Sequence, residues 1–192
     1  GGPGGQARER RGGCRAGRWG AGQGGRPPAP DAVAGRRYDV VLGRFPTVLR
    51  RAVPEGPAAA AYADYETAYY TYDLSALYLE RVADWLAPSG RLAAVVAGRF
   101  RDTRFGEKTR ERLPGWYDLA ELRDLPGSAP GGSPLLVVGR RRESTATDPA
   151  ARRPADGHVT VAAGLDADGE QLPATAFGAD EWPVGVDGDA DG

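Results

Sequence analysis

This sequence has few cysteine and histidine residues and no long apolar run. It contains one cysteine and one histidine. The lone Cys14 excludes an internal disulfide and a cysteine-based metal site, and the lone His158 argues against a histidine-ligated metal, so we predict no metal. No apolar run approaches the roughly 18 residues that a membrane helix needs. An apolar signal-peptide core is also missing at the amino terminus, so we expect a cytoplasmic protein without a membrane partner.

Methionine is absent altogether, even at position 1. The simplest interpretation is a chain cut from, or predicted within, a longer reading frame. Lysine is almost absent too: Lys108 is the only one, and nearly all basic residues are arginine. A GC-rich genome produces that bias without any functional reason. The net charge of −1 excludes no class of partner.

Glycine and proline, 29 and 16 residues, concentrate at the two ends of the chain. Residues 1–37 are rich in glycine and arginine, show no hydrophobic period and are predicted to be disordered. Such an arm can bind nucleic acid by neutralising phosphates, although a plain linker is the simpler interpretation. Residues 143–192 read as a linker and an acidic tail, with strand-like pieces of little core potential, such as residues 158–162. The folded part is therefore expected at residues 38–142.

A strand–helix–strand unit opens this middle part. Residues 38–42 (YDVVL) are typical of a buried strand. Residues 73–86 carry apolar side chains at three- and four-residue spacing, which predicts a helix with Asp73 as its N-cap. Residues 88–90 (PSG) are expected to end the helix. Residues 91–97 (RLAAVVA) form a continuous apolar run, as in a strand covered on both faces.

Shorter elements are expected downstream. Residues 107–113 predict a charged helix that ends at Pro114-Gly115. Residues 119–125 and 135–139 predict two further strands. The tyrosine-rich residues 58–72 are compatible with helix, loop or both. Together, the pattern indicates an α/β fold.

Several segments, in the same order, resemble the adenine-N6 DNA methyltransferases of restriction-modification systems, the Eco57I-like and TaqI-like group. Residues 38–43 (YDVVLG) resemble the family strand that leads into an Asn-Pro-Pro-Tyr/Phe loop, which falls here on residues 44–47 (RFPT). Residues 72–81 (YDLSALYLER) and 86–92 (LAPSGRL) resemble the following helix and turn. Residues 97–113 resemble the next family segment, of the type S-N-R-F-L-R. An unrelated α/β domain with chance similarity is the alternative.

The resemblance implies the carboxyl-terminal half of a class I, Rossmann-like methyltransferase sheet, flanked by disordered segments at both ends. Residues 122–125 and 135–140 match its last two strands, and residues 181–184 (EWPV) weakly resemble the start of a target-recognition region. The family uses S-adenosyl-L-methionine. Its cofactor loop precedes the catalytic loop, and residues 1–37 contain no strand leading into a glycine-rich loop. The cofactor-binding half is therefore expected to be missing.

The resemblance assigns the catalytic motif to Arg44, Phe45, Pro46 and Thr47. In the family, the asparagine and a proline carbonyl accept hydrogen bonds from the adenine amino group, and the aromatic residue stacks on the flipped base. Arg44 replaces the asparagine and has donors but no acceptor. Thr47 replaces the aromatic residue and has no ring. The motif is thus degenerate.

Two further residues receive roles from the resemblance. Phe100 is a candidate for contacting the substrate base, with a core-facing phenylalanine as the alternative. Asp39 is a candidate cofactor-binding residue.

The functional prediction is a fragment of a DNA adenine methyltransferase that is inactive alone. Its expected partners are DNA and a missing methyltransferase half or restriction subunit. The alternative is a non-enzymatic remnant that binds DNA or a subunit through the arginine-rich arm.

Overall fold

In the computed structural model, the described residues are 37–53, 55–56, 60, 62–127, 132–143, 157–178, 180 and 182. The first two strands, β1 (Tyr38–Arg44) and β2 (Leu86–Ala97), pair in parallel. Val40 lies opposite Arg91, and the register continues to the pair of Arg44 with Val95. The strand–helix–strand unit predicted from the sequence is thus confirmed.

The helix between these strands is α1 (Leu74–Trp85). Asp73 is its N-cap, as predicted, and its side chain accepts a hydrogen bond from the backbone N–H of Ser75. The helix is buried on two sides: Leu79 and Val82 belong to the main hydrophobic cluster, whereas Leu74 and Leu77 pack in a second cluster with Tyr62.

The predicted helix stop at residues 88–90 is wrong. The helix ends at Trp85, and Leu86 already has an extended backbone with its side chain fully buried. Residues 88–90 instead lie in an irregularity of β2, between the pair of Tyr38 with Leu86 and that of Val40 with Arg91. Burial of Leu86 in the core favours the earlier change of backbone over a further helical turn.

The second helix, α2 (Glu107–Trp116), continues past the predicted end at Pro114-Gly115. A proline inside a helix removes one backbone donor. Here it falls in the last turn, and the backbone N–H of Tyr117 closes the helix on the carbonyl of Leu113. Leu113 and Pro114 are both buried, which offsets the lost bond.

The remaining strands extend the sheet. They are β3 (Tyr117–Asp124), β4 (Pro134–Arg141), β5 (His158–Ala162) and β6 (Glu170–Pro173). The spatial order is β1-β2-β4-β3-β5-β6, with β4 antiparallel to both of its neighbours. Because β3 and β5 are parallel to each other, the strands β1, β2, β3 and β5 all run the same way. Their carboxyl ends therefore meet at one edge of the sheet, here called the carboxyl edge.

The sheet and its core continue beyond Arg142. Val159 and Val161 of β5 are buried, as are Phe177 and Trp182, and all four belong to the main hydrophobic cluster. The expectation of little core potential in this region is therefore wrong. These side chains fill space against the middle of the chain, which a local hydrophobic pattern cannot reveal.

The two helices lie on the face of the sheet that carries Leu92, Ala94 and Val96. The register places six aliphatic residues on the opposite face, here called the open face. They are Val40, Leu42, Ala93, Val95, Leu136 and Val138. None of them is buried, and Leu42 is 74% exposed. No helix among the described residues packs on this face. None of these helices is long and apolar enough to cross a membrane.

Candidate active site at the carboxyl edge

The motif loop (residues 44–47) leaves β1 at the carboxyl edge. Arg44 is the last residue of the strand, opposite Val95 of β2. The backbone N–H of Phe45 donates to the carbonyl of Val95 over 2.9 Å, which continues the ladder by one residue. In open α/β sheets, ligands bind outside the carboxyl ends of the strands. The placement of the motif loop expected from the resemblance is confirmed.

The four motif residues have different surroundings. Arg44 is exposed, while Pro46 and Thr47 are half-buried. Phe45 is buried, and its ring packs against Tyr78 at 5.3 Å between centroids. The Phe45 side chain is therefore part of the hydrophobic core. The groups of the loop that could contact a ligand are its backbone, the Arg44 guanidinium and the Thr47 hydroxyl.

Phe100 follows β2 at the same edge of the sheet, in a helical turn (Gly98–Arg101). Its ring is 5% exposed and meets Trp182 edge-on, with centroids 5.5 Å apart. It also lines a narrow cavity with Leu49, Asp73 and Thr109. The structure thus places Phe100 at the same edge of the sheet as the motif loop but packs its ring in the core. A base-binding role for it stays a prediction.

Asp73 brings a buried carboxylate to the same cavity. One oxygen caps α1 through the N–H of Ser75 at 2.8 Å. The other, Oδ2, is buried and has no hydrogen-bond partner among the described residues. Burial raises the pKa of Asp73 to about 6, against the lowering effect of the Ser75 hydrogen bonds. The capping role was predictable from the sequence, whereas the buried second oxygen was not.

Two buried arginines fix the segment that carries Phe100. Arg101 forms a two-point ion pair with Asp124 at the end of β3, at 2.6 and 3.0 Å. Arg110 of α2 donates to the carbonyls of Phe100 and Thr103 at 2.6 and 2.7 Å. Sequence reasoning missed both, because an arginine beside a charged helix looks like a surface residue until its tertiary partners are known.

Asp39 lies at the other end of β1. Arg44 is five positions further along the strand, which corresponds to about 16 Å. Its side chain is exposed. The structure does not bring Asp39 to the motif loop, because the length of the strand separates them, and its assignment to cofactor binding gains no geometric support.

The described residues do not fit S-adenosyl-L-methionine. Class I enzymes hold this cofactor with a glycine loop after the first strand and an acidic residue after the second, according to the resemblance. β1 is an edge strand here, and its outer side pairs with no described strand. No described strand runs into a glycine-rich loop at a helix N-terminus beside it. Residues 1–36, where the sequence shows glycine-rich runs, lie outside the described part.

Comparison with known proteins agrees with the resemblance. The type II methyltransferase M.XhoI of Xanthomonas vasicola is 31% identical over 88 residues, which is 46% of this chain and 16% of that protein. The chain therefore spans about a sixth of the length of the relative it matches. No protein-family model matches it.

Three solved structures match this chain with TM-scores of 0.45 or less. A putative class I S-adenosylmethionine-dependent methyltransferase from Listeria monocytogenes has a TM-score of 0.45 and 15% identity, covering 63% of this chain and 41% of that one. The type IIG restriction endonuclease BpuSI has a TM-score of 0.45 and 18% identity, with coverages of 58% and 14%. The EcoKI M protein of a type I restriction enzyme has a TM-score of 0.40 and 19% identity, with coverages of 59% and 22%.

The described part combines a six-stranded mixed sheet, two helices on one of its faces and a motif loop at the carboxyl edge. The sequence match over 88 residues is to a type II methyltransferase, which is the kind of protein that the resemblance indicated.

Proposed function

We propose that this chain is the catalytic-loop part of a site-specific DNA methyltransferase that modifies adenine at N6. The complete enzyme would take its methyl group from S-adenosyl-L-methionine and work in the cytoplasm, where DNA is accessible. The observation that carries the proposal is the position of the motif loop, at the carboxyl end of β1 beside its parallel neighbour β2.

The chemistry explains why this part alone is not a catalyst. The lone pair of adenine N6 is delocalised into the ring, and positive charge grows on N6 during methyl transfer. Acceptors facing N6 stabilise that charge. The Pro46 carbonyl remains available, but the Arg44 guanidinium has no acceptor and its charge opposes the one that develops. Loss of one preorganised acceptor typically costs about 10²–10³ in rate.

The open face and the outer edge of β1 indicate where the missing part docks. Parallel sheets are normally covered by helices on both faces. Here one face carries six aliphatic residues without a described helix, and β1 can accept a further strand. We infer that the occupant is the cofactor-binding half of a methyltransferase, on the same polypeptide or on a partner subunit. Its helices would cover the open face and its first strand would pair with β1.

Complementation tests this function. The full chain would be mixed with the cofactor-binding half of the Xanthomonas relative, tritiated S-adenosyl-L-methionine and DNA, and label in adenine would be measured. We expect no label from the chain alone, from the Arg44→Asn, Thr47→Tyr double variant alone, or from the cofactor-binding half alone. The double variant together with that half should incorporate label above these three controls.

A variant on the open face is the control for docking of the two halves. Leu42→Asp places a charge on the surface where docking is expected, and it should abolish both complementation and co-sedimentation of the two halves. Label from the unmodified chain alone would contradict the inactivity. Failure of the double variant to gain activity in a complex that demonstrably forms would contradict the methyltransferase assignment.

The second functional prediction, a binding module that acts through its arginine-rich arm, depends on residues 1–36. These residues lie outside the described part, and no structural observation favours that function.

A further inference from the structure

Tyr70 combines backbone strain with exposure. Its φ of 57° lies in the left-handed region, which tyrosine rarely adopts. Its side chain is 86% exposed, more than any other large apolar or aromatic residue in the described part of the chain. Such strain persists only when surrounding structure enforces it, and it concentrates at functional sites.

The segment before Tyr70 is firmly attached to α1. The Glu80 carboxylate accepts hydrogen bonds from the backbone N–H of Glu66 and Thr67 and from the Thr67 hydroxyl, at 3.0, 2.9 and 2.7 Å. Thr67 is fully buried. The next residue of the helix, Arg81, donates to the Tyr65 hydroxyl at 3.2 Å and lies over its ring. The exposed Tyr70 therefore stands on a rigid base.

The segment after Tyr70 joins the motif loop region. The carbonyl of Tyr72 accepts a hydrogen bond from the N–H of Arg50 at 2.8 Å, and Asp73 forms a β-bridge with Leu49. Leu49 follows Thr47 by two residues, so the segment that carries Tyr70 is attached to the stretch of chain just after the degenerate motif. Thr47 itself has no ring to stack on a base.

A lysine lies beside Tyr69, the aromatic residue that precedes Tyr70. The Lys108 ammonium lies 5.9 Å from the centre of the ring of Tyr69, which is also exposed, while it pairs with Glu111 at 2.7 Å. Exposed rings beside a cation suit a nucleic acid strand, because bases stack on aromatic faces and phosphates attract ammonium groups.

We propose that Tyr70 is a stacking platform for an unpaired nucleobase of the DNA strand at the carboxyl edge. The inference rests on the proposed function and adds a substrate-contacting residue outside the motif. It also accounts for the strain, because the backbone conformation holds an aromatic ring in solvent where nothing in the described structure covers it.

The test compares two single-stranded oligonucleotides, one intact and one with a single abasic site, by fluorescence anisotropy with the full chain. Tyr70→Asn removes the ring and tolerates a positive φ, and Tyr70→Phe keeps the ring. Stacking on one base is worth about 1–3 kcal/mol, so Tyr70→Asn should weaken binding of the intact strand about 5- to 150-fold. It should leave the abasic strand nearly unchanged, and Tyr70→Phe should bind like wild type.

Thermal unfolding separates a binding effect from a folding effect. Relief of the strained backbone should keep the melting temperature of Tyr70→Asn at or above that of wild type. Tyr70→Gly provides a second variant with the same expectation. Leu42→Thr, which alters an exposed apolar residue on the open face, is the control that should leave binding of both strands unchanged.

Tyr70→Asn binding of the intact strand within twofold of wild type would overturn the inference, and so would an equal loss for both strands. Wild-type chain that binds neither strand would overturn the inference as well, whereas the proposed function is tested separately by complementation.

Discussion

Arg101 and Asp124 join the loop after β2 to the end of β3 through two short contacts, 2.6 and 3.0 Å, with side chains that are only 7% and 16% exposed. The ion pair links the ends of β2 and β3, which are not neighbours in the sheet because β4 lies between them. It also sits directly after Phe100. The position of that ring therefore depends on a polar contact as well as on core packing.

Removal of this buried ion pair should lower the free energy of unfolding much more than removal of an exposed ion pair. Asp124→Asn leaves the buried Arg101 guanidinium uncompensated, which typically costs about 3–5 kcal/mol of unfolding free energy. Asp84→Asn is the matched control, since Arg81 and Asp84 form a pair at 3.1 Å in which the carboxylate is exposed. Exposed pairs are worth about 0–1 kcal/mol. Urea denaturation of both variants measures the difference, and equal losses would show that burial of the Arg101 pair has no energetic consequence.

The second prediction concerns Gly106, where α2 begins. A Cβ at this position would lie 2.1 Å from the carbonyl oxygen of Phe100 and 2.4 Å from its Cα. Both atoms are backbone, so they cannot turn aside. Gly106→Ala should therefore destabilise the fold by about 1–3 kcal/mol or more.

Gly178→Ala is the control for Gly106, because a Cβ at position 178 meets no atom of the described residues within 4 Å. It should change the urea midpoint little. A Gly106→Ala variant as stable as wild type would show that the segment of residues 98–106 moves freely to make room.

The sequence predicted the elements that have a local signature. The spacing of Leu74, Leu77 and Val82 predicted α1, and its N-cap Asp73 followed from helix-start chemistry. The apolar run of residues 91–97 predicted most of β2. The strand–helix–strand order was also predicted, and in the structure β1 and β2 pair in parallel.

The missed features all depend on tertiary contacts. Leu86 leaves the helix because the core buries it, and β5 with Trp182 enters the core although its surroundings are polar and glycine-rich. The roles of Arg101 and Arg110 depend on partners 23 and 10 residues away. None of these partners is visible in a window of neighbouring residues.

The third prediction is a pH dependence from Asp73. Burial raises its pKa from 3.8 to about 6 in the folded chain. The folded state therefore binds a proton more tightly than the unfolded state does. The contribution of the Asp73 carboxyl group to the stability of the fold is fully present below about pH 4 and is lost as pH rises through about 6. One pKa unit corresponds to about 1.4 kcal/mol, so the loss is on the order of 2–3 kcal/mol.

Asp73→Asn tests this, since asparagine caps a helix equally well and does not titrate. The variant should gain stability relative to wild type between pH 4 and pH 7, as measured by urea denaturation across that range. A difference between the two proteins that stays constant with pH would exclude Asp73 as the titrating group.

The fourth prediction contrasts the two faces of the sheet. Leu42 on the open face and Leu92 on the helix-covered face lie on adjacent paired strands, but the first is 74% and the second 1% exposed. Leu42→Thr should change the unfolding free energy by less than about 0.5 kcal/mol, whereas Leu92→Ala should cost about 2–5 kcal/mol. A large loss for Leu42→Thr in the isolated chain would mean that another part of the same chain covers the open face.

The last prediction concerns the carboxyl-terminal part, which the sequence assigned to a linker and tail. Trp182 is buried, packs edge-on against Phe100 and Phe177 at 5.5 and 5.3 Å, and donates its backbone N–H to the carbonyl of Arg101 at 2.9 Å. Trp182→Ala should therefore cost about 3–5 kcal/mol. Leu165→Ala, at an exposed position of the same region, should cost little.

A chain cut after Arg142 should lose cooperative unfolding, because it also lacks β5. If that shortened chain unfolded with the same urea midpoint as the full one, the folded unit would end at Arg142 and the contacts of Trp182 would be dispensable.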